Sequence, residues 1–410
     1  MTLSTVTGTA SGLSSNLTIN TTGTVSVGAV GTDIGTVTVT QSGGTTFSST
    51  VSAATITLSN STASANITFS GNVTATTGLT VSAGTAAYNV VFNGSSNSIA
   101  GATTFNNTGT VTLVSGSGSS TFTGGVTATA PSQVNIGGTV QSTDSEISIG
   151  DSNTPTVLTA NTTISGNTSG DIILGGTVNG LFSLTLNTTG GTRFSGTVGD
   201  SSALTSLTTN AGGSTQFYGG SVRTSGSQTY NDNIILGAGT TLTTISNGSI
   251  SFAGTVFGAL SLSITTHGTG DTTFTGAVGG TNPFNAPTSI TISTDVLTAA
   301  DIKSTGTLSV TNTGASSITG IISDGLSALA VTKAGAGTLT LSGTNTYTGV
   351  TTINAGTLSV GTIGDGGVAG NLGQATSAAT NIVFAGGTLQ YTGSTASTDR
   401  SFTITAGTTG

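Results

Sequence analysis

Few side chains in this sequence could carry chemistry, and their spacing limits what that chemistry could be. The single histidine, His267, is the only candidate base for a Ser–His–Asp arrangement, with Asp271 or another Asp to orient it. It lies in THGTGD, at the point where two related stretches differ in length, which predicts a surface corner instead of a catalytic pair. The densest acidic cluster is Asp144, Glu146 and Asp151 in TDSEISIGDS. Paired carboxylates are what glycoside hydrolysis requires, and Asp144 and Glu146 share a strand face if that run is extended. Eliminative cleavage of a polysaccharide would need Lys or Arg to stabilise a carbanion, and none lies within the cluster, so a solvated turn is expected. Gly364 to Gly370 (GDGGVAG) comes nearest to a calcium-binding nonapeptide, but it occurs once and out of register, and reads as a turn. Zinc and EF-hand patterns are missing, because there is no Cys and one His cannot build a site. No catalytic, cofactor-binding or metal-binding residue is assigned, and no cofactor is expected. Asn-x-Ser/Thr triplets, as at Asn16, Asn66, Asn161 and Asn187, arise by chance in a chain so rich in Asn, Ser and Thr.

Composition narrows the classes further. Among 410 residues there are 65 Gly, 4 Pro, no Trp and one Met, and only 4% are charged. Thr, Ser, Gly, Val, Ile, Leu and Asn dominate, and the β-branched members suit a pleated surface better than a helix. The chain therefore reads as all-β. A net charge of -8 with only five Lys and Arg leaves no cationic footprint for nucleic acid or for anionic membranes. No run approaches 18 apolar residues, so this segment is not expected to insert directly into a membrane. The opening MTLSTVTGTASGLSS has neither a basic n-region nor an apolar h-region. The closing SFTITAGTTG ends within what reads as a strand and its turn. Export signals, if the protein is exported, are expected in a continuation outside this sequence.

The elements that must position these residues are short period-two runs separated by Gly, Asn or Ser. Gly35 to Thr40 (GTVTVT), Ala54 to Leu58 (ATITL), Thr110 to Val114 (TVTLV), Ser183 to Leu186 (SLTL) and Gly306 to Val310 (GTLSV) are examples. Alternation places the apolar set inward and the hydroxyl set outward. Runs this short suit one side of a β-helical coil, with Gly and Asn at its corners. A flat face of outward Thr, as TVTVT at Thr36 to Thr40 suggests, could match an ice lattice. The T-x-T runs recur at uneven intervals, so simple β-propensity on a solvated face is the expectation.

Internal similarity supports a repetitive coil. Gly176 to Leu186 (GTVNGLFSLTL) aligns with Gly254 to Ile264 (GTVFGALSLSI) at an offset of 78, and Thr192 to Gly199 aligns with Thr272 to Gly279 at an offset of 80. A Phe-x-Gly echo recurs at Phe69, Phe122, Phe194, Phe252 and Phe274, with a variant at Phe217. Coils of about 20–25 residues would give about 18 of them. Three zones are expected: degenerate repeats over 1–170, the tandem motif over 171–325, and a different repeat over 326–410.

That last repeat reads VTKAGAGTLTLSGTNTYTGVTTINAGTLSVG from Val331 to Gly361. Its KAGAG turn, TLTL strand, NTYTG corner and NAGTLSVG segment resemble the autotransporter-associated β-strand repeat of bacterial passenger regions. The resemblance extends over about 329–393, through NIVFAGGTLQYTG (Asn381 to Gly393), and on to the Arg400 segment. Residues 177–280, through Ala203 to Val222 and Gln228 to Thr243, resemble filamentous-haemagglutinin-like β-strand repeats. These resemblances imply a right-handed parallel β-helix, or β-solenoid, of irregular coils on a bacterial surface or secreted from it. They also imply an adhesive or display role, with host or matrix proteins or glycans as partners; a purely structural spacer is the alternative. They bring no catalytic residues. Independently of them, alternation turns Leu339, Leu341, Ile353, Leu358 and Val360 inward, with Asn345 and Asn354 at corners. Tyr347 is expected to pack at a corner with its hydroxyl near water. Tyr88, Tyr218 and Tyr230 are the candidate aromatic contacts for a ligand, or else packing residues.

Overall fold

The computed structural model describes residues 1–9, 12 and 15–405. The strand-and-turn expected at the end of the sequence falls partly beyond them: Thr403–Ile404 forms a strand, and residues 406–410 lie outside the described residues. Regular structure among the described residues is strand throughout, apart from two three-residue 3-10 turns. The chain forms two compact units, Met1–Ser214 and Thr215–Gly410.

In the first unit the chain passes through three strand positions per coil. One circuit runs Thr110–Val114, Ser119–Phe122 and Val126–Ala128; the next returns through Gln133–Ser142 and Ile147–Ile149. Every strand pairs in parallel with its counterpart one coil on, as in Val111 with Val134, Phe122 with Ser142 and Ile149 with Leu174. Those partners are 23, 20 and 25 residues apart, the coil length expected from the repeats. Parallel neighbours need a connection long enough to come back to the same edge, and here the other two sides of the coil supply it.

The second unit repeats the plan. Gln228–Tyr230, Ile250–Phe252, Thr272–Phe274 and Leu297–Ala299 form one face. Ser221–Thr224, Thr240–Thr244, Ser261–Thr265 and Ser289–Thr294 form another. The third face is thinner: between Ile234 with Val256 and Ile302 with Ile322, the register passes through single bridges at Val278. All-β parallel solenoid architecture is thus what both units show.

Alternation explains the core. Leu339, Leu341, Ile353, Leu358 and Val360 are all fully buried, as their spacing predicts. Aromatic rings stack coil on coil inside each unit. Phe47, Phe69 and Phe92 have centroids 4.9 and 5.0 Å apart and nearly parallel planes. In the second unit Tyr230, Phe252 and Phe274 repeat the arrangement at 5.2 and 4.6 Å. Such rings bury large apolar area and gain about 1 kcal/mol per pair beyond it. The Phe-x-Gly echo therefore marks the ladder ring and the corner after it. That glycine is required by proximity: a Cβ on Gly276 would stand 2.3 Å from the Gly254 carbonyl of the preceding coil.

One expectation needs correcting. Hydroxyls are not confined to the outside: Thr156, Thr188, Thr209, Thr244 and Thr272 are buried. Thr has nearly the shape of Val, and at some corners, as at Thr188 with the Gly170 carbonyl at 2.7 Å, its hydroxyl reaches a carbonyl. Thr244 Oγ1 donates to the Gly248 carbonyl at 2.6 Å, and Thr266 Oγ1 to that of Gly270 at 2.6 Å.

Candidate functional site

Most polar side chains at the corners are spent on the neighbouring coil. Asn16 Oδ1 accepts from the Thr36 amide at 3.1 Å, Asn161 Oδ1 from Ser183 at 3.1 Å, and Asn233 Oδ1 from Thr255 at 2.9 Å. Asp residues do the same work: Asp171 Oδ1 accepts from the Gly191 amide at 2.7 Å and Asp301 Oδ1 from Ile321 at 2.7 Å. A corner exposes amides that no strand partner reaches, and a short side chain from one coil earlier satisfies them.

The acidic cluster follows this rule. Asp144 has φ 58, so the extended run that would align it with Glu146 does not exist. Its Oδ1 instead accepts from the Thr168 hydroxyl at 2.7 Å, the Thr168 amide at 2.8 Å, the Ser169 amide at 3.1 Å and Asn167 Nδ2 at 3.2 Å. Those bonds, the Thr168 hydroxyl first, hold its carboxyl below the usual carboxylate range. Glu146 is exposed, and Asp151 Oδ1 accepts from the Asn153 amide at 2.8 Å in a local turn. His267 is exposed at its corner with Nδ1 2.7 Å from the Thr244 carbonyl, while Asp271 accepts from the Val296 amide at 3.1 Å. Neither carboxylate nor imidazole is aimed at a Ser hydroxyl. Among the described residues no group of three or more His, Cys, Asp or Glu is gathered to hold a metal ion.

The tyrosines divide. Tyr218 is 45% exposed. Tyr88 and Tyr230 are fully buried, which removes them as ligand contacts. The Tyr88 hydroxyl donates to the Ser82 carbonyl at 2.6 Å and that of Tyr230 to Gln228 Oε1 at 2.8 Å. Burial raises both phenols above their ordinary pKa. The triplet asparagines Asn16, Asn66, Asn161 and Asn187 are all exposed.

Uneven T-x-T intervals also gain an explanation. In the second unit Thr241, Ser263, Thr291, Ser309, Thr332 and Thr352 stand in register along one face. Coil length varies at the corners while the strands stay aligned, so hydroxyls scattered in sequence form a column. Ser interrupts that column at Ser263 and Ser309, and it lacks the repeated Thr pair.

The most elaborate polar construction surrounds the repeat from residue 331 onward. Lys333 occupies an inward strand position and is fully buried. Its Nζ donates to the carbonyls of Ala334 at 2.7 Å, Gly335 at 2.8 Å and Ala355 at 3.2 Å. Desolvation lowers its pKa. Asn345, also fully buried, accepts from the Ile322 amide at 2.8 Å and donates to the Asn371 carbonyl at 2.8 Å, joining the coil before it to the loop after it. Tyr347 is buried to its tip: the hydroxyl lies 2.8 Å from Thr351 Oγ1, away from water, which corrects the expectation of a wet hydroxyl. Burial pushes its pKa up to about 12, against the opposing pull of the Thr351 bond and the Arg400 charge.

Beyond this repeat the chain makes a long excursion before strand Ile382–Phe384, and Arg400 holds it. The guanidinium donates to the carbonyls of Gly364 at 2.8 Å, Gly373 at 2.8 Å, Ala375 at 3.2 Å, Asp365 at 3.2 Å and Val368 at 3.3 Å. The GDGGVAG segment is thus a turn inside an Arg-centred clamp, as its lone occurrence suggested. Sequence reasoning placed Arg400 in the repeat pattern but not at the centre of this clamp. Its signal, one of only five cations in a sparsely charged, net acidic chain, carries no spatial information.

Residues 331–360 match the family model of the passenger-associated transport repeat. Those residues carry a passenger-associated transport repeat. Ninety-seven residues are also 41% identical to the Adhesin BmaC autotransporter of Brucella suis biovar 1 (strain 1330). That stretch covers 24% of this chain and 3% of the Brucella protein, so this chain spans a small part of the relative's length. No solved structure matches the chain significantly. The passenger repeat comprises the strands Ala330–Ala334, Thr338–Leu341, Thr351–Ile353 and Thr357–Val360, each paired in register with the coil before it. Within it lie Lys333 and Asn345, which bond main-chain groups of neighbouring coils, and the buried Tyr347. Passenger homology implies a surface or secreted location. No helix among the described residues is long and apolar enough to cross a membrane, a statement that leaves β-barrels aside.

Proposed function

We propose that this chain is a stalk segment of a larger autotransporter adhesin, displayed outside the cell, without catalytic activity of its own. The observation that carries this reading is the passenger repeat at residues 331–360, set in a parallel solenoid whose coils continue on both sides of it. A stack of parallel coils suits display, because each added coil is held by its neighbours through main-chain bonds and a shared core. Contact with host matrix proteins or glycans would then use side chains that protrude from corners and faces.

A spacer without a ligand is the second reading. It is favoured by the corner Asn and Asp residues, whose oxygens are largely committed within the chain.

Immobilised chain tested against arrays of host matrix proteins and glycans separates the two. Retention of a defined set of partners supports adhesion, whereas silence across broad arrays supports the spacer. The non-enzymatic reading has its own check on a polysaccharide panel. Cleavage that disappears in Asp144→Ala or Glu146→Ala would overturn it.

A further inference from the structure

The two copies of the tandem motif differ at one corner, and the difference opens a groove. Three residues separate Gly199 from Ala203 in the first copy; six separate Gly279 from Ala286 at the equivalent place in the second. Gly279 and Gly280, with φ 89 and 55, turn the chain outward there. A Cβ at Gly279 would stand 2.3 Å from the Lys303 carbonyl, so glycine is required. The added residues form a 3-10 turn at Pro283–Asn285, capped by Asn282 Oδ1, which accepts from the Phe284 amide at 3.0 Å. The Asn285 carbonyl accepts from the Gly258 amide at 2.7 Å and fastens this wall to the neighbouring coil.

The floor is the thin third face. Val256, Val278 and Ile302 follow one another in register there. Beside them Phe257, Gly279 and Lys303 occupy equivalent positions in successive coils, and the small Ala277 flanks Val278 on its other side. Gly279 between two large side chains, with Ala277 alongside, leaves a cavity of about 540 Å³, within the range of small-ligand sites.

Its polar groups are only partly committed. Asn233 and Asp301 each spend one oxygen on a backbone amide, and Lys303 Nζ donates to the Thr281 carbonyl at 3.2 Å. The Asn233 amide nitrogen, the second Asp301 oxygen, further Lys303 protons and the exposed Asn285 carboxamide remain to face a ligand. Carboxamides donate to and accept from vicinal hydroxyls, a carboxylate accepts from them, and the half-buried Phe257 offers a flat apolar surface beside them. One carboxylate and one ammonium leave the groove close to neutral. Strand edges on the floor are already paired, so an extended peptide would find no main-chain ladder to join.

We propose that this groove binds a short neutral glycan, a mono- or disaccharide laid with one pyranose face on Phe257. The proposal rests on the adhesive reading above and gives it a site. The intact chain is titrated by saturation-transfer NMR with methyl glycosides of neutral hexoses and N-acetylhexosamines, and with neutral disaccharides. Binding of at least one of these is expected, with Phe257→Ala or Asn285→Ala weakening it tenfold or more. Ala277→Leu, which fills the groove without removing a contact, should abolish it while leaving the unfolding midpoint in place. Phe284→Ala, at an exposed position outside the groove lining, should change nothing. Sugar binding that survives Ala277→Leu would overturn the groove and leave adhesion standing. Retention on matrix protein without any sugar binding would do the same. Silence on both would sink the groove and the adhesive reading together.

Discussion

At the scale of single residues, this protein puts its rare polar groups where the coil leaves main-chain groups unpaired. Asn345 is the clearest case, because it answers an amide on one side and a carbonyl on the other while fully buried. Asn345→Ala orphans both, and each buried unsatisfied group costs about 1–3 kcal/mol. Denaturant unfolding of the full chain should therefore show a loss of about 3 kcal/mol in the transition that involves the passenger repeat. Tyr347 gives a pH test. Its phenol titrates at about 12 in the fold against 10.0 when free, so its contribution is complete below pH 10 and falls as pH rises towards 12. The full loss is about 3 kcal/mol. Tyr347→Phe should flatten part of the alkaline decline at a neutral-pH cost of about 1 kcal/mol, from the Thr351 hydroxyl left without its partner. Tyr88 and Tyr230, whose pKa values are also raised, keep the rest of the decline in place. Asp144 works in the opposite direction. With its pKa depressed, its hold on Thr168 and Ser169 is present above the ordinary carboxylate range and lost as acid protonates it. Protection of those two amides from exchange, taken relative to the intrinsic rate at each pH, should fall below that range and hold steady above it.

At the scale of elements, strands of three or four residues persist because each is paired on both sides and roofed by ladder side chains. Phe252 lies between Tyr230 and Phe274, with ring centroids 5.2 and 4.6 Å away. Phe252→Ala should cost about 3–5 kcal/mol, since the rigid coils above and below cannot collapse into the space. Gly276→Ala tests the corner separately. Its Cβ would meet the Gly254 carbonyl, a main-chain atom fixed by its own coil, so the variant must push adjacent coils apart locally. Thermal unfolding should show Gly276→Ala well below the wild type, whereas Gly364→Ala, where nothing lies within 4 Å, should match it closely.

At the scale of the molecule, stability owes little to charge. Five cations and thirteen acids among 410 residues leave few ion pairs for salt to screen. Raising NaCl from about 0.05 to about 1 M should shift unfolding free energy by less than about 1 kcal/mol, the range of an exposed ion pair. A large destabilisation would mean that an electrostatic network holds the coils. Much of this architecture was legible beforehand. Period-two alternation fixes which side chains turn inward, because successive residues of a strand must face opposite ways. Gly and Asn punctuation marks the corners, and self-similarity gives the coil length because stacked coils must have nearly equal perimeters. The passenger repeat was readable for the same reason, as an ordered series of strand and corner residues. Tertiary structure alone decided where polar side chains point. Alternation names the face of Tyr88, Tyr230 or Thr244 but not what meets it one coil away. Corner geometry escapes the two-residue period altogether, so the details of the turn at Asp144 were not legible, and Arg400 found its carbonyls some 25 to 36 residues back along the chain. The groove by Phe257 likewise depends on three additional residues at one corner. Sequence displays that insertion as a change of offset, and only the stacking of coils turns it into a cavity.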